Sequence, residues 1–202
     1  MKLIIVICAL IGASVPAFAS FNEEVLSAVT AKTHPFNLVN WAVGDSADFQ
    51  VTLGSFGTVG TVSKVVQSEE TTENALWVKT TMDLTVQKDE SEMLIRRSDA
   101  KILKYVHNGK EEAIPDDKVE IVSQSNAEID VPAGHFRSLH IVANTKDVKG
   151  VEIWINPRET VMDGTLKQLV PSQYGNIEMV LTKFHKEHIL WFPPCEIQPC
   201  SY

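Results

Sequence analysis

The chain has 202 residues, of which 44% are hydrophobic and 22% charged, which is the composition of a folded globular protein rather than a disordered or collagen-like one. Its 26 acidic and 18 basic residues give a formal net charge of −8. Nucleic acids and anionic membranes usually require a basic surface, so the composition argues against both as partners.

The first 19 residues have the three parts of a secretory signal peptide. Lys2 is the basic start, residues 3–11 are the apolar run, and Ala17-Phe18-Ala19 is the small-x-small cleavage sequence. The apolar run is shorter than the ~20 residues that a membrane-spanning helix needs. We therefore expect export, cleavage after Ala19 and no transmembrane segment in the mature chain, and either a periplasmic or an extracellular location.

Residues 20–32 predict one amphipathic helix at the start of the mature chain. Ser20 lies three residues before Glu23, which is the spacing of a capping box. The apolar residues at helical spacing are Phe21, Val25, Ala28 and Val29. Pro35 should end the helix, because the residue before a proline is disfavoured in the helical region.

From Trp41 onward, the alternation of apolar and polar residues predicts about ten β-strands. The alternating segments begin at Phe49, Val78, Met93, Ile102, Val119, Leu139 and Val151, and the turn signals between strands are residues 54–60, 69–74, 88–90, 98–100, 108–109 and 144–150. Asn108-Gly109 is the strongest of them, because a tight hairpin turn needs positive φ at both positions.

The predicted fold is mainly β: a strongly curved antiparallel sheet, or half-barrel, with the single N-terminal helix. No second helix is long enough to connect parallel strands, so the sheet should be antiparallel. Residues 111–118 are charged and are interpreted as a long loop. The predicted domains are a signal peptide over residues 1–19, a single β domain over 20–190 and a Pro/Cys tail over 191–202.

Cys195 and Cys200 lie in the proline-rich tail. An even pair of cysteines in an exported chain predicts a disulfide, with redox or metal-binding roles as alternatives. His185 and His188 would complete a set of four zinc ligands, but residues i and i+3 of a strand face opposite sides. We therefore predict a disulfide between the two cysteines and no metal.

The sequence contains none of the local motifs of nucleophilic, metalloprotease or phosphate-binding enzymes. The acidic pairs at 111–112 and 116–117 are interpreted as solvated loop residues. His140 lies between Leu139 and Ile141, and the alternation predicts an exposed histidine on the opposite face. No catalytic residue and no cofactor are predicted.

Two tryptophans are candidate ligand-binding residues, Trp77 and Trp154, both within predicted strands. Trp154 is out of phase with Ile153 and Ile155, so its strand has large apolar side chains on both faces. A helix or a cavity would then cover the second face, although ordinary core packing is the alternative.

Several short motifs resemble exported bacterial proteins of the half-barrel class, which includes the periplasmic lipoprotein carriers. The motifs are Trp41-Ala-Val-Gly-Asp45, Phe49-Gln-Val51, Val131-Pro-Ala-Gly-His-Phe136, Glu152-Ile-Trp154, Gly164-Thr-Leu-Lys167 and Met179-Val-Leu-Thr182. The resemblance implies a curled sheet and a lid helix around an apolar cavity. It implies no catalytic residue.

The leading functional hypothesis is a non-catalytic exported protein that binds a lipid, an acyl chain or another apolar ligand on the concave face. One alternative is an exported hydrolase whose site forms only in three dimensions, which a histidine beside a carboxylate and a hydroxyl, near His107 or His140, would favour. Another is a structural or partner-binding component of an envelope assembly.

Overall fold

The structure, a computed structural model, describes residues 39, 41–115 and 119–187. The predicted helix over 20–32, the acidic pair at 116–117, His188 and the cysteine tail lie outside these residues. The strands are β1 (Ser46–Leu53), β2 (Thr58–Glu70), β3 (Ala75–Leu84), β4 (Gln87–Arg96), β5 (Ile102–His107), β6 (Lys110–Glu112), β7 (Glu120–Val131), β8 (Gly134–Asn144), β9 (Val151–Ile155), β10 (Thr165–Val170) and β11 (Ile177–His185), and a single 3₁₀ turn spans Gly54–Phe56.

All eleven strands form one open antiparallel sheet in the order β6-β5-β4-β3-β2-β1-β11-β10-β9-β8-β7. The first and last strands are neighbours, and β6 and β7 are the two edges. The sheet is strongly curved. The curvature brings the turn between β7 and β8 back to β11, where the Ala133 N–H donates to the Leu181 carbonyl at 3.3 Å. The mainly-β antiparallel prediction is confirmed, with eleven strands in place of about ten.

The hairpin predicted at Asn108-Gly109 is confirmed. His107 pairs with Lys110, and both turn residues have positive φ, at 49° and 76°. The long loop predicted over 111–118 is wrong at its start, because the hairpin carries residues 110–112 back as the short strand β6.

The turn predicted at residues 88–90 is also wrong. The turn lies at residues 85–86, since Leu84 pairs directly with Gln87, and residues 88–90 belong to β4. Lys88 and Glu90 are exposed strand residues, and their charges resemble a turn signal. Asp89 between them faces the opposite side and is buried.

The main apolar core covers the buried side of β1 to β5, which we call the inner face. On this face Phe49 pairs with Val62, and Val62 pairs with Met82. A second apolar cluster consists of Ile141, Ala143, Val151, Ile153, Ile155 and Val170, on β8 to β10. Within the described ranges, no helix is long and apolar enough to span a membrane.

Candidate functional site

A buried ion pair lies in the middle of the inner face. The side chain of Lys64 in β2 points inward between Val62 and Val66, and its Nζ donates to Oδ2 of Asp163. The two side chains are only 4% and 3% exposed. The ammonium also lies 5.9 Å from the centre of the Phe49 ring. Both charges are thus removed from water and surrounded by apolar groups, where an unpaired charge would be costly.

Asp163 reaches Lys64 because the β9–β10 connection, residues 156–164, folds onto the core; we call it the plug loop. Asn156 organises the loop: its Oδ1 accepts the Glu159 N–H at 3.1 Å, and its own N–H donates to the Gly164 carbonyl at 2.7 Å. These bonds close the loop at its base. The tip of the loop is therefore held against the inner face.

The tip of the plug loop is apolar as well as charged. Val161 and Met162 are buried in the main core, and Met162 has a positive φ of 52°. A non-glycine residue in this conformation is strained and needs surrounding contacts to hold it. Burial of the two side chains and the Asp163–Lys64 pair supply those contacts.

Four buried polar atoms have no hydrogen-bond partner within the described part of the chain. They are Thr80 Oγ1, Tyr105 Oη, Thr165 Oγ1 and Gln168 Oε1. Thr80 lies directly opposite Lys64 in the β2–β3 pair. Buried polar groups are rarely left without any partner in folded proteins, and those without a protein partner are commonly bonded to ordered water.

A second polar cluster lies near the β6 edge of the inner face. Nε2 of His107 is 2.7 Å from Oδ1 of Asp89, and its Nδ1 is 3.6 Å from Oε1 of Glu112. The Tyr105 ring stacks beside the imidazole at 6.2 Å. Burial, followed by the negative charges of Asp89 and Glu112, raises the pKa of Tyr105 to about 12.

The His107 cluster has the histidine, carboxylate and hydroxyl that a hydrolase would need. Ser91 lies directly opposite His107 in the β4–β5 pair, but no hydrogen bond joins the two side chains among the described residues. Both ring nitrogens instead face carboxylates, so neither is placed to take a proton from a hydroxyl.

His140 is not the exposed strand histidine that the alternation predicted. Its ring stacks on Trp154, with centroids 4.2 Å apart and planes 8° apart, and its Nε2 lies 2.8 Å from Oε2 of Glu152. The Lys167 ammonium is 5.6 Å from the Trp154 ring centre. The face opposite Ile153 is therefore partly covered by neighbouring side chains, with the His140 side chain 23% and the Glu152 side chain 38% exposed.

The two candidate tryptophans are not brought together. Trp77 is half-buried on the side of β3 away from the inner face, opposite Leu94 of β4. Trp154 lies on β9, packed between His140 and Lys167. The structure gives the positions of both residues, and a ligand-binding role for either stays a prediction.

Within the described ranges, no group of three or more His, Cys, Asp or Glu side chains is arranged to hold a metal ion. His185, at the end of β11, contacts Glu187 at 3.1 Å. The other residues of the zinc alternative, His188, Cys195 and Cys200, lie outside the described residues, and so does the predicted disulfide.

Neither Lys64 nor Asp163 is among the site residues predicted from the sequence. Two sequence features could have indicated them. Lys64 lies two residues from both Val62 and Val66, so in a strand it faces the same side as these apolar residues, and Asp163 follows the apolar residues Val161 and Met162. Each alone is common, and only their convergence makes a site.

No protein-family model matches the chain, and no curated protein matches it significantly. Similar solved structures include a Bacteroides fragilis protein described as exported, with a YmcC-like fold, at 10% identity and a TM-score of 0.46. That alignment covers 73% of this chain and 98% of the other chain.

Two further solved structures are similar in the same way. One is described as a lipoprotein from Parabacteroides distasonis, at 10% identity and a TM-score of 0.42, covering 74% of this chain and 98% of the other. The other is MucB in complex with MucA(peri), at 14% identity and a TM-score of 0.38. That alignment covers 72% of this chain and 50% of the other chain. At these values, activity, ligand and location do not transfer to this chain.

Proposed function

We propose that this protein is a non-catalytic exported binding protein that holds an apolar ligand on the inner face of its sheet. The proposal is supported by the combination found there: rows of apolar side chains on neighbouring strands, with a few inward-pointing polar groups among them. Ligand sites are typically built in this way, from mostly apolar walls and a small number of polar groups that fix orientation.

The observation that carries the proposal is the set of buried polar atoms without partners. Leaving a buried hydroxyl or amide oxygen unpaired costs about 1 to 3 kcal/mol. Thr80 Oγ1 and Tyr105 Oη both lie on the apolar inner face, and neither has a hydrogen-bond partner among the described residues. A bound molecule that supplies a polar atom there would remove this penalty.

Native mass spectrometry of the exported protein, purified without detergent, tests the proposal. We expect a fraction of the protein to carry a bound amphiphile, and a hydrophobic fluorescent dye to bind the stripped protein and to be displaced by that amphiphile. A protein with no bound molecule that also fails to bind the dye while folded would contradict it.

A second candidate, an exported hydrolase, would require one ring nitrogen of His107 to leave its carboxylate and face a hydroxyl. The carboxylate of Asp89 is already at 2.7 Å from the imidazole, and Ser91 supplies a hydroxyl on the neighbouring strand. Under this candidate, His107→Ala abolishes hydrolysis of short-chain nitrophenyl esters while the fold survives. Equal, background-level hydrolysis by the wild type and the variant would remove it.

A further inference from the structure

The two edges of the sheet differ in how they are protected. The edge of a sheet carries unpaired backbone groups, and proteins usually protect it with a short strand or with charged side chains. The β6 edge has both features, since its three residues, Lys110–Glu112, are all charged. The β7 edge is twelve residues long, and no residue from Ser123 to Ala127 is charged. The β7 edge is therefore the one to which a further strand can be added.

Both faces of β7 are exposed in its first half. Neighbouring residues of a strand point to opposite faces, and residues 122–126 are all exposed, including the apolar Val122 at 59%. A bulge interrupts the pairing with β8 between Ile121 and Ser123, after which the register is regular to Val131. Within the described residues, an uncovered and regular strand edge therefore begins at Ser123.

The backbone groups on this edge have a defined direction. Val131 pairs with Gly134 across a two-residue turn. The pair that closes such a turn is a hydrogen-bonded pair, and hydrogen-bonded and non-hydrogen-bonded pairs alternate along an antiparallel ladder. It follows that the N–H and C=O groups of Gln124, Asn126 and Glu128 point away from β8.

The stretch from 123 to 129 is complementary to itself. When two copies pair antiparallel about a two-fold axis at Asn126, that residue meets its own counterpart in the second copy. Glu128 is the only charged residue of the stretch, and it then lies opposite Gln124. No acidic side chain faces another, which matters because like charges directly opposite destabilise a strand pair. The outward backbone groups supply about six hydrogen bonds between the copies.

We propose that β7 is the interface of a homodimer, in which the β7 strands of two copies pair antiparallel around Asn126 and join the two sheets into one. The contact consists mainly of a strand edge and buries little apolar surface, so the dimer belongs to the weak, concentration-dependent class. This interface does not depend on the apolar ligand proposed above.

Disulfide cross-linking tests the register. In this arrangement the two Asn126 Cα atoms are ~5.5 Å apart, which a disulfide can bridge. The two Gln124 Cα atoms are at least ~13 Å apart, because each lies four residues along the strand from the other. Under mild oxidation Asn126→Cys should give a covalent dimer, and Gln124→Cys, the matched control, should not. The wild type, treated in parallel, shows any cross-linking through its own cysteines.

Sedimentation equilibrium tests the interface without a cross-link. Asn126→Asp keeps the side-chain size and places two carboxylates opposite each other on the axis, so it should weaken dimerisation by about tenfold or more. Asn176→Asp adds the same charge at an exposed residue before β11 and is the matched control, which should dimerise like the wild type. Circular dichroism shows that both variants keep the fold.

Three results would overturn the proposal. A wild type that stays monomeric at every concentration, with no covalent dimer from Asn126→Cys, excludes a second copy as the strand that pairs with β7. Cross-linking of Gln124→Cys but not of Asn126→Cys excludes the two-fold axis at Asn126. A dimer that Asn126→Asp and Asn176→Asp weaken equally, or not at all, uses a surface other than β7.

Discussion

Lys64 and Asp163 both lose their hydration when the chain folds, and their attraction offsets this loss only while both are present. Removing one member of such a buried pair leaves an uncompensated charge, whereas replacing both members by apolar groups is often close to neutral. The pair also fastens the plug loop to the inner face, since Asp163 belongs to that loop.

Lys64→Met should therefore lower the free energy of unfolding by about 3 to 5 kcal/mol, because Asp163 stays buried without its partner. Adding Asp163→Leu should recover most of the loss, which guanidinium unfolding curves measure. Lys79→Met is the control: Lys79 contacts Glu90 at 2.8 Å in a more exposed pair, and an exposed pair contributes about 1 kcal/mol or less. Equal losses for Lys64→Met and Lys79→Met would contradict the argument.

The raised pKa of Tyr105 predicts that the protein loses stability at alkaline pH. Its pKa is raised from 10.0 to about 12 in the folded protein, so the folded state favours the neutral phenol. The stabilisation is complete below pH 10.0, the value for the unfolded chain, and is lost as pH rises through about 12.

Tyr105→Phe removes this dependence, so the stability of the wild type relative to Tyr105→Phe should fall between neutral pH and about pH 11. At neutral pH Tyr105→Phe should be at least as stable as the wild type, because the hydroxyl that is removed has no partner among the described residues. Chemical denaturation at both pH values measures the difference. A difference that does not change with pH would refute the assignment.

At the scale of elements, the plug loop depends on a glycine at its end. Gly164 has a φ of +73°, and a Cβ there would lie 2.3 Å from the backbone nitrogen of Pro157. Gly150, before β9, has nearly the same φ of +71° but open space where its Cβ would be. The two glycines share the same conformational strain and differ only in close backbone contact.

Gly150→Ala should therefore cost about 1 to 2 kcal/mol, the penalty of placing a side chain in the left-handed region. Gly164→Ala should cost about 1 to 3 kcal/mol more, because the loop base must move apart. Thermal unfolding of the two variants measures both. Indistinguishable melting temperatures would show that the loop base is not constrained as the structure indicates.

How far the sequence predicts an element depends on what its side chains face. The alternation from Val78 to Val86 identifies β3, because its inward side chains are almost all apolar, but it runs two residues past the end of the strand at Leu84. The same reasoning misplaces the turn after β3, because Asp89 faces inward to bind His107 and so hides the strand pattern. Eight of the twelve residues of β7 are exposed, and periodicity defines only its start.

The candidate site is harder to predict than the strands that carry it. Lys64 and Asp163 are 99 positions apart, and their contact depends on the curvature of the sheet and on the fold of the plug loop. No local pattern encodes either. The same holds for His140, whose environment is set by Trp154 and Glu152 on the neighbouring strand.

At the scale of the whole molecule, one open sheet must have its apolar side covered. The buried residues of the second apolar cluster belong to β8, β9 and β10. Ile141 and Ile153 are fully buried there. A single sheet layer needs a second layer to exclude water from such a surface. The helix that the sequence predicts over residues 20–32 is the candidate that we propose for a layer over the apolar side of the sheet, including the inner face.

Its apolar residues Phe21, Val25 and Val29 cannot stabilise it alone, because helices shorter than about 12 to 15 residues are marginal in water. If the helix is a lid over a ligand site, changing Val25 and Val29 to serine should expose apolar surface. Binding of a hydrophobic dye to the folded protein should then rise while the unfolding midpoint stays in place. Changing the polar residues Glu24 and Thr30 to serine is the control and should leave dye binding unchanged.

A helix that is instead a permanent part of the core responds differently to the same change of Val25 and Val29. Large-to-small changes in a packed core cost about 2 kcal/mol or more, so the unfolding midpoint would fall and the folded protein would bind no additional dye. A lid couples ligand entry to the helix, whereas a closed core leaves no route to the inner face. A fall in midpoint without dye binding would therefore contradict the lid and, with it, the path by which the proposed ligand reaches the inner face.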